Sequence, residues 1–109
     1  MLGMRTVIET EDFEKLWPLY WTEKEHDAFA LFIAENPDAG EVVRGSGGVR
    51  KVRWSRSGSG KSGGVRVIYF NRKANGEIWL IFIYAKSKQD SISGNVLKEL
   101  KHEIEKTID

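Results

Sequence analysis

Val65-Arg-Val-Ile-Tyr-Phe70, then Asn75-Gly76, then Glu77-Ile-Trp-Leu-Ile-Phe-Ile-Tyr84 is the stretch from which the fold is read. Asn-Gly is the strongest short hairpin signal, because both residues tolerate the positive φ that a tight turn imposes. It separates a strand over 65–70 from a run over Glu77–Tyr84 that is apolar at nearly every position. Such a run reads as a central strand covered on both faces. Strict alternation along it puts Tyr84 on one face with Leu80 and Phe82.

Upstream, Val49–Trp54 also has a period of two, with Val49, Lys51 and Arg53 on one face and Arg50, Val52 and Trp54 on the other. Trp54 is expected in the core rather than stacked on a base. Gly40 to Gly48 and Ser55–Gly64 are glycine-rich connections. Further out, residues 4–10 read as a first strand, and Thr10 can cap a short helix over 11–17 whose first turn holds Glu11 and Asp12. Thr22-Glu-Lys-Glu25 is a capping box opening a helix that carries Phe29, Phe32 and Ile33 on one face, and Asn36-Pro37 stops it. Downstream, Ser93 or Asn95 can cap a last helix with an apolar stripe of Leu97, Leu100, Ile104 and Ile108. The order is β-α-α-β-β-β-α. It predicts an α+β fold, a small, mainly antiparallel sheet with helices packed on one face.

With 109 residues the chain suits one domain over 1–109. No cysteine is present, which removes disulfides, thiolate metal sites and a cysteine nucleophile. His26 and His102 are too few for most zinc or histidine-based sites and read as surface residues, so neither metal nor cofactor is expected. The longest apolar run, Ile78 to Ala85, is far short of the roughly 20 residues of a membrane helix. No apolar stretch follows Arg5, as a signal peptide would require. A soluble, cytoplasmic protein without membrane contact is expected.

The net charge of +1 conceals an asymmetry. Residues 1–41 hold three basic side chains against ten acidic ones, whereas residues 42–89 hold eleven basic ones against Glu77 alone. A segment of that kind, with aromatics and glycines among the cations, is a polyanion footprint. Gly58-Ser-Gly60-Lys-Ser-Gly63 matches G-x-G-x-x-G, and Gly60-Lys61-Ser62 ends like a P-loop. A strand follows instead of a helix, so no helix N-terminus meets a phosphate and both matches are accidents of composition.

Four blocks in order and at matching spacing carry a resemblance: Asn36-Pro37-Asp-Ala-Gly40, Gly45-Ser-Gly-Gly48-Val-Arg50-Lys51, Lys61-Ser-Gly-Gly64-Val-Arg66-Val-Ile-Tyr69 and Ile83-Tyr84-Ala-Lys86. Together they resemble the RelE/ParE superfamily of bacterial toxins, and most of all its HigB-type branch. The resemblance spans roughly residues 5–107. It implies a small curved antiparallel sheet with helices on one face. It also implies a toxin of a toxin-antitoxin module, a ribosome-dependent messenger RNA endoribonuclease that works without metal and inhibits translation. Implied partners are the ribosome, messenger RNA and an antitoxin that in the HigB arrangement commonly carries a helix-turn-helix.

By the same resemblance, Arg66 is the phosphate clamp, since a guanidinium binds phosphate oxygens in bidentate fashion. Tyr84 and Lys86 would be the base or acid pair, or would stack on and hold the nucleotide; a core role for Tyr84 is the competing reading. Arg50, Lys51, Arg53, Arg56 and Lys61 would contact RNA backbone. The strand from Trp79 to Ile83 lacks the arginine some relatives carry there. Lys86, Lys88 and Asp90 stand where others have histidine and aspartate, so the general base stays open. Two other functions fit the same fold: a ParE-like, non-catalytic inhibitor of gyrase, and a plain RNA-binding module.

Overall fold

A computed structural model describes residues 5–55, 64–86 and 91–108. The chain begins with β1 (Thr6–Glu9), α1 (Glu11–Leu16), a 3-10 turn over Trp17–Leu19 and α2 (Glu23–Glu35). It continues through β2 (Glu41–Val42), β3 (Arg50–Trp54), β4 (Val65–Arg72), a second 3-10 turn over Lys73–Asn75, β5 (Glu77–Ala85) and α3 (Gly94–Thr107). The five strands form one sheet in the order β1-β5-β4-β3-β2. Only the β1–β5 pair is parallel; the other three pairs are antiparallel.

Local signals place the elements. Thr10 Oγ1 accepts from the Phe13 amide at 3.2 Å and donates to the Ile81 carbonyl at 2.9 Å, so one hydroxyl caps α1 and ties it to β5. Thr22 and Glu25 close a reciprocal capping box at the start of α2. Ser93, not Asn95, caps α3, accepting from the Val96 amide at 3.3 Å. The β4–β5 hairpin is wider than a two-residue Asn-Gly loop, because residues 73–75 form a 3-10 turn and Gly76 alone takes the left-handed conformation.

The α+β class and mainly antiparallel sheet are as the sequence implies, but the helices occupy both faces. On the first face, Phe13, Trp21, Phe29 and Ile33 of the α1–α2 region pack on Val65, Val67, Tyr69, Ile78, Leu80 and Ile83. Trp54 joins this core, its ring centroid 5.2 Å from that of Phe29 and 4.7 Å from that of Phe32. On the second face, Leu97 of α3 packs with Val49, Ile68, Phe70, Ile81 and Tyr84, flanked by Leu100 and Ile104. The reason is the two-sided hydrophobicity of β5. Leaving either face of that strand wet would expose several large apolar side chains, at roughly 1.5–3 kcal/mol each.

The β4–β5 register shifts between Ile68 and Tyr69, which pair with Phe82 and Leu80 respectively, so Ile81 is the extra residue of a β-bulge. Side-chain parity reverses there. Leu80 belongs to the first core while Phe82 and Tyr84 belong to the second, which separates Tyr84 from Leu80 against the simple alternation.

Tyr69 anchors the turn after α2. Its hydroxyl donates to the Pro37 carbonyl at 2.8 Å and accepts from the Gly40 amide at 3.0 Å. A Cβ on Gly40 would lie 2.7 Å from the Lys51 carbonyl oxygen, so the approach of this turn to β3 requires glycine. Among the described residues, no helix is long and apolar enough to cross a membrane.

Candidate functional site

Three residues line up across the sheet. Arg53 of β3 is the Cα partner of Arg66 of β4, and Arg66 is the partner of Tyr84 of β5. Directly opposed residues of antiparallel strands share a face, with Cβ atoms about 4.5–5.5 Å apart. Tyr84 fixes which face this is, because it packs in the core under α3. Lys51 joins from the next row, opposite Ile68 of β4 on one side and Glu41 of β2 on the other. Its Nζ donates to Ser91 Oγ at 3.4 Å.

An open cleft of about 420 Å³ lies over this part of the sheet, lined by Ala39, Glu41, Lys51, Val52, Arg53 and Arg66. Arg53 is exposed and Arg66 half-buried. The one hydrogen bond Arg66 makes among the described residues is a long one, 3.5 Å from Nη1 to the Val65 carbonyl, so most of its donors are unused. Tyr84 is only 4% exposed. Burial pushes its phenol above the ordinary value, while the Arg66 charge pulls it back down. The phenol is therefore protonated at neutral pH, a proton donor rather than a base. A guanidinium with donors to spare beside a protonated phenol can hold a phosphate and protonate an oxygen leaving it.

The other residues singled out in the sequence fall elsewhere. Lys86 is exposed in the turn that follows β5. Arg56 and Lys61, with the tip of the glycine loop, lie outside the described residues. Arg50 points to the first face: it is the partner of Tyr69, its Nη1 donates to the Gly40 and Asp38 carbonyls at 2.6 and 3.3 Å, and Nη2 lies 3.4 Å from Asp38 Oδ1. The structure thus brings Lys51, Arg53, Arg66 and Tyr84 together and leaves Arg50 apart. His26 pairs with Glu9 and stacks on Trp17 at 4.1 Å between centroids, an arrangement on the first face. His102 is exposed on α3.

Glu41 is the residue that sequence reasoning passed over. It stands at the end of the acidic segment, and its two-residue strand is too short to show any period. Its cross-strand position opposite Lys51 makes it the carboxylate of an otherwise cationic cleft. In the Asn36–Gly40 block, Tyr69 holds Pro37 and Gly40 in place, and Ala39 lines the cleft.

Residues 33–108 match the model of a family described as the RelE toxin of the RelE/RelB toxin-antitoxin system, well over half of the chain. The chain belongs to the RelE toxin family. RelE toxins are the toxic partners of toxin-antitoxin modules, so an antitoxin partner comes with the assignment. Members of the family are known endoribonucleases. The fold agrees with that of E. coli toxin RelE, solved in the free state with two arginines replaced by alanine. The TM-score is 0.58 at 16% sequence identity, covering 97% of this chain and 99% of that one. At that identity the RelE likeness is one of fold.

Proposed function

We propose that this RelE-family toxin is a ribosome-dependent, metal-independent messenger RNA endoribonuclease of the HigB type, with residues 1–109 acting as one toxin domain. The observation that carries the reading is the Arg53–Arg66–Tyr84 row beside an open cationic cleft. The ribose 2′-hydroxyl attacks the adjacent phosphorus, the bond to the 5′-oxygen breaks, and a 2′,3′-cyclic phosphate and a 5′-hydroxyl result. Arg66 binds the non-bridging oxygens and stabilises the charge that builds on them. Tyr84 gives its proton to the departing 5′-oxygen, which suits a phenol kept protonated by burial. The proton of the 2′-hydroxyl passes to solvent, and Lys86, exposed after β5, holds the nucleotide, the other role the resemblance gives it. Lys51 and Arg53, with Arg50, Arg56 and Lys61, contribute contacts to RNA backbone. The protein acts in the cytoplasm, where ribosomes are, and its antitoxin carries a helix-turn-helix.

Cell-free translation with added protein, with new messenger 5′ ends mapped by primer extension, tests this. Cuts that require ribosomes and fade with Arg66→Ala and Tyr84→Phe are expected. Intact messenger would overturn the nuclease reading and leave a gyrase inhibitor or an RNA-binding module.

A further inference from the structure

A second basic cleft lies past the N-terminal end of β3. It holds about 210 Å³ and is lined by Gly47, Gly48, Arg50, Asn71, Lys73 and Lys101 among others. Three cations line it and no carboxylate does. β2 contributes one residue to each cleft, Glu41 to the first and Val42 to the second. Arg50 and Arg53 sit three residues apart on β3 and so face opposite sides of the sheet, which keeps the two clefts separate.

The lining groups differ in how far they are committed. Arg50 gives donors to Asp38 and Gly40. Lys101 donates to the Gly47 carbonyl at 3.0 Å, lies 3.6 Å from Glu105 and sits 5.6 Å from the centre of the Phe70 ring. These contacts fix the two cations in place while each keeps N–H donors to spare. Lys73 is exposed, and among the described residues it forms no ion pair. Asn71 is part of the wall, but both polar atoms of its side chain are closed off from solvent, with no hydrogen-bond partner among the described residues. An internal water is the partner such an enclosed amide takes, so it makes no contact with an occupant of the cleft.

We propose that this cleft is a second phosphodiester site, in which Arg50, Lys73 and Lys101 hold the sugar-phosphate backbone of RNA at a point separate from the Arg66–Tyr84 row. The choice of RNA as occupant rests on the function proposed above; the cation cluster does not. The backbone could come from messenger or from ribosomal RNA, since both present the same phosphates.

The test compares wild type, Lys73→Gln, Lys73→Gln/Lys101→Gln and Arg66→Ala. Binding is measured across a salt series in two arms, a short single-stranded 2′-O-methyl RNA, which cannot be cleaved at a 2′-hydroxyl, and isolated ribosomes. Each lost phosphate contact makes the slope of log K against log salt shallower by about 0.7 for single strands. Lys73→Gln is therefore expected to lower the slope by about 0.7 and the double variant by about 1.4. A change in the oligonucleotide arm assigns the site to messenger, and a change with ribosomes alone assigns it to ribosomal RNA; either supports the proposal. Lys73→Gln touches no described partner, so it remains informative if Lys101→Gln disturbs α3. Slopes unchanged in both arms, in proteins that melt like wild type, overturn it. A protein that cleaves with unchanged slopes sinks this inference alone, and one that shows the slope change without cleaving sinks the nuclease reading alone.

Discussion

Arg66 and Tyr84 oppose each other across β4 and β5 on the face covered by α3, and the guanidinium charge works against the burial that holds the phenol protonated. Removing the charge must therefore raise the Tyr84 pKa further. Ultraviolet titration of the tyrosines in Arg66→Ala should show one phenol ionising at higher pH than in wild type. An unchanged titration would mean the two side chains do not sense each other. In the cleavage assay the same substitution should cost about 10²–10³-fold, the scale of losing a preorganised charge donor.

Tyr84→Phe keeps the ring that packs near Phe82, at 6.2 Å between centroids, and deletes only the hydroxyl. A donor lost from the leaving oxygen should slow cleavage by about 10²–10⁴-fold with the melting temperature nearly unchanged. Full activity in this variant would return Tyr84 to a purely structural role.

Tyr69 and Tyr84 both have phenol pKa values raised by burial. Above about pH 10 the unfolded chain loses these protons first, so the folded state binds more protons and stability falls as pH rises. The contribution is intact below the unfolded value and disappears as pH passes the folded ones. Urea midpoints measured from pH 8 to 11 should drop steeply at the alkaline end. The double variant Tyr69→Phe/Tyr84→Phe should show a flatter profile there.

Tyr69→Phe should also leave the Pro37 carbonyl and the Gly40 amide without their buried partner, at about 1–3 kcal/mol. Each kcal/mol corresponds to a melting shift of about 4–8 °C in a domain near this size. Gly40→Ala should destabilise through the close Lys51 carbonyl, with circular dichroism melting as the readout for both.

His26→Ala removes the pairing with Glu9 and the stack on Trp17. The stack alone is worth about 0.5–1.5 kcal/mol. Lower thermal stability with unchanged cleavage per folded molecule is expected. Lost cleavage in a protein that still melts cooperatively would give the first face a part in the reaction.

The sequence carried the fold a long way. The capping box at Thr22, the alternation of Val49–Trp54 and the stripe of Leu97, Leu100 and Ile104 each express a local physical requirement and reappear in place, whereas Ile108, the fourth residue expected in that stripe, lies past the end of α3 as its extended C-cap. The alternation already set Arg50 apart from Lys51 and Arg53. Net charge gives no weight to faces, however, and grouped all three. Two features escaped because they are relational. The parallel pairing of β1 with β5 leaves no mark on either strand alone. The placing of α3 opposite α1 and α2 depends on which parity of β5 each helix covers. The site was legible only in part: Arg66 and Tyr84 stand paired, while Glu41 surfaced through its register with Lys51.

The extra residue at Ile81 has a consequence for comparing this chain with its relatives. Every position of β5 after it is out of phase with those before, so the phenol reaches the Arg66 side by way of a frame change within a single strand. A relative whose strand runs without the bulge must carry the equivalent group one step earlier or later. Matching the two chains without a gap at Ile81 would pair the tyrosine with a residue buried on the wrong side of the sheet. Deleting Ile81 would remove the extra residue from the protein itself and restore plain alternation, with Phe82 directly after Leu80 and Tyr84 still opposite Arg66.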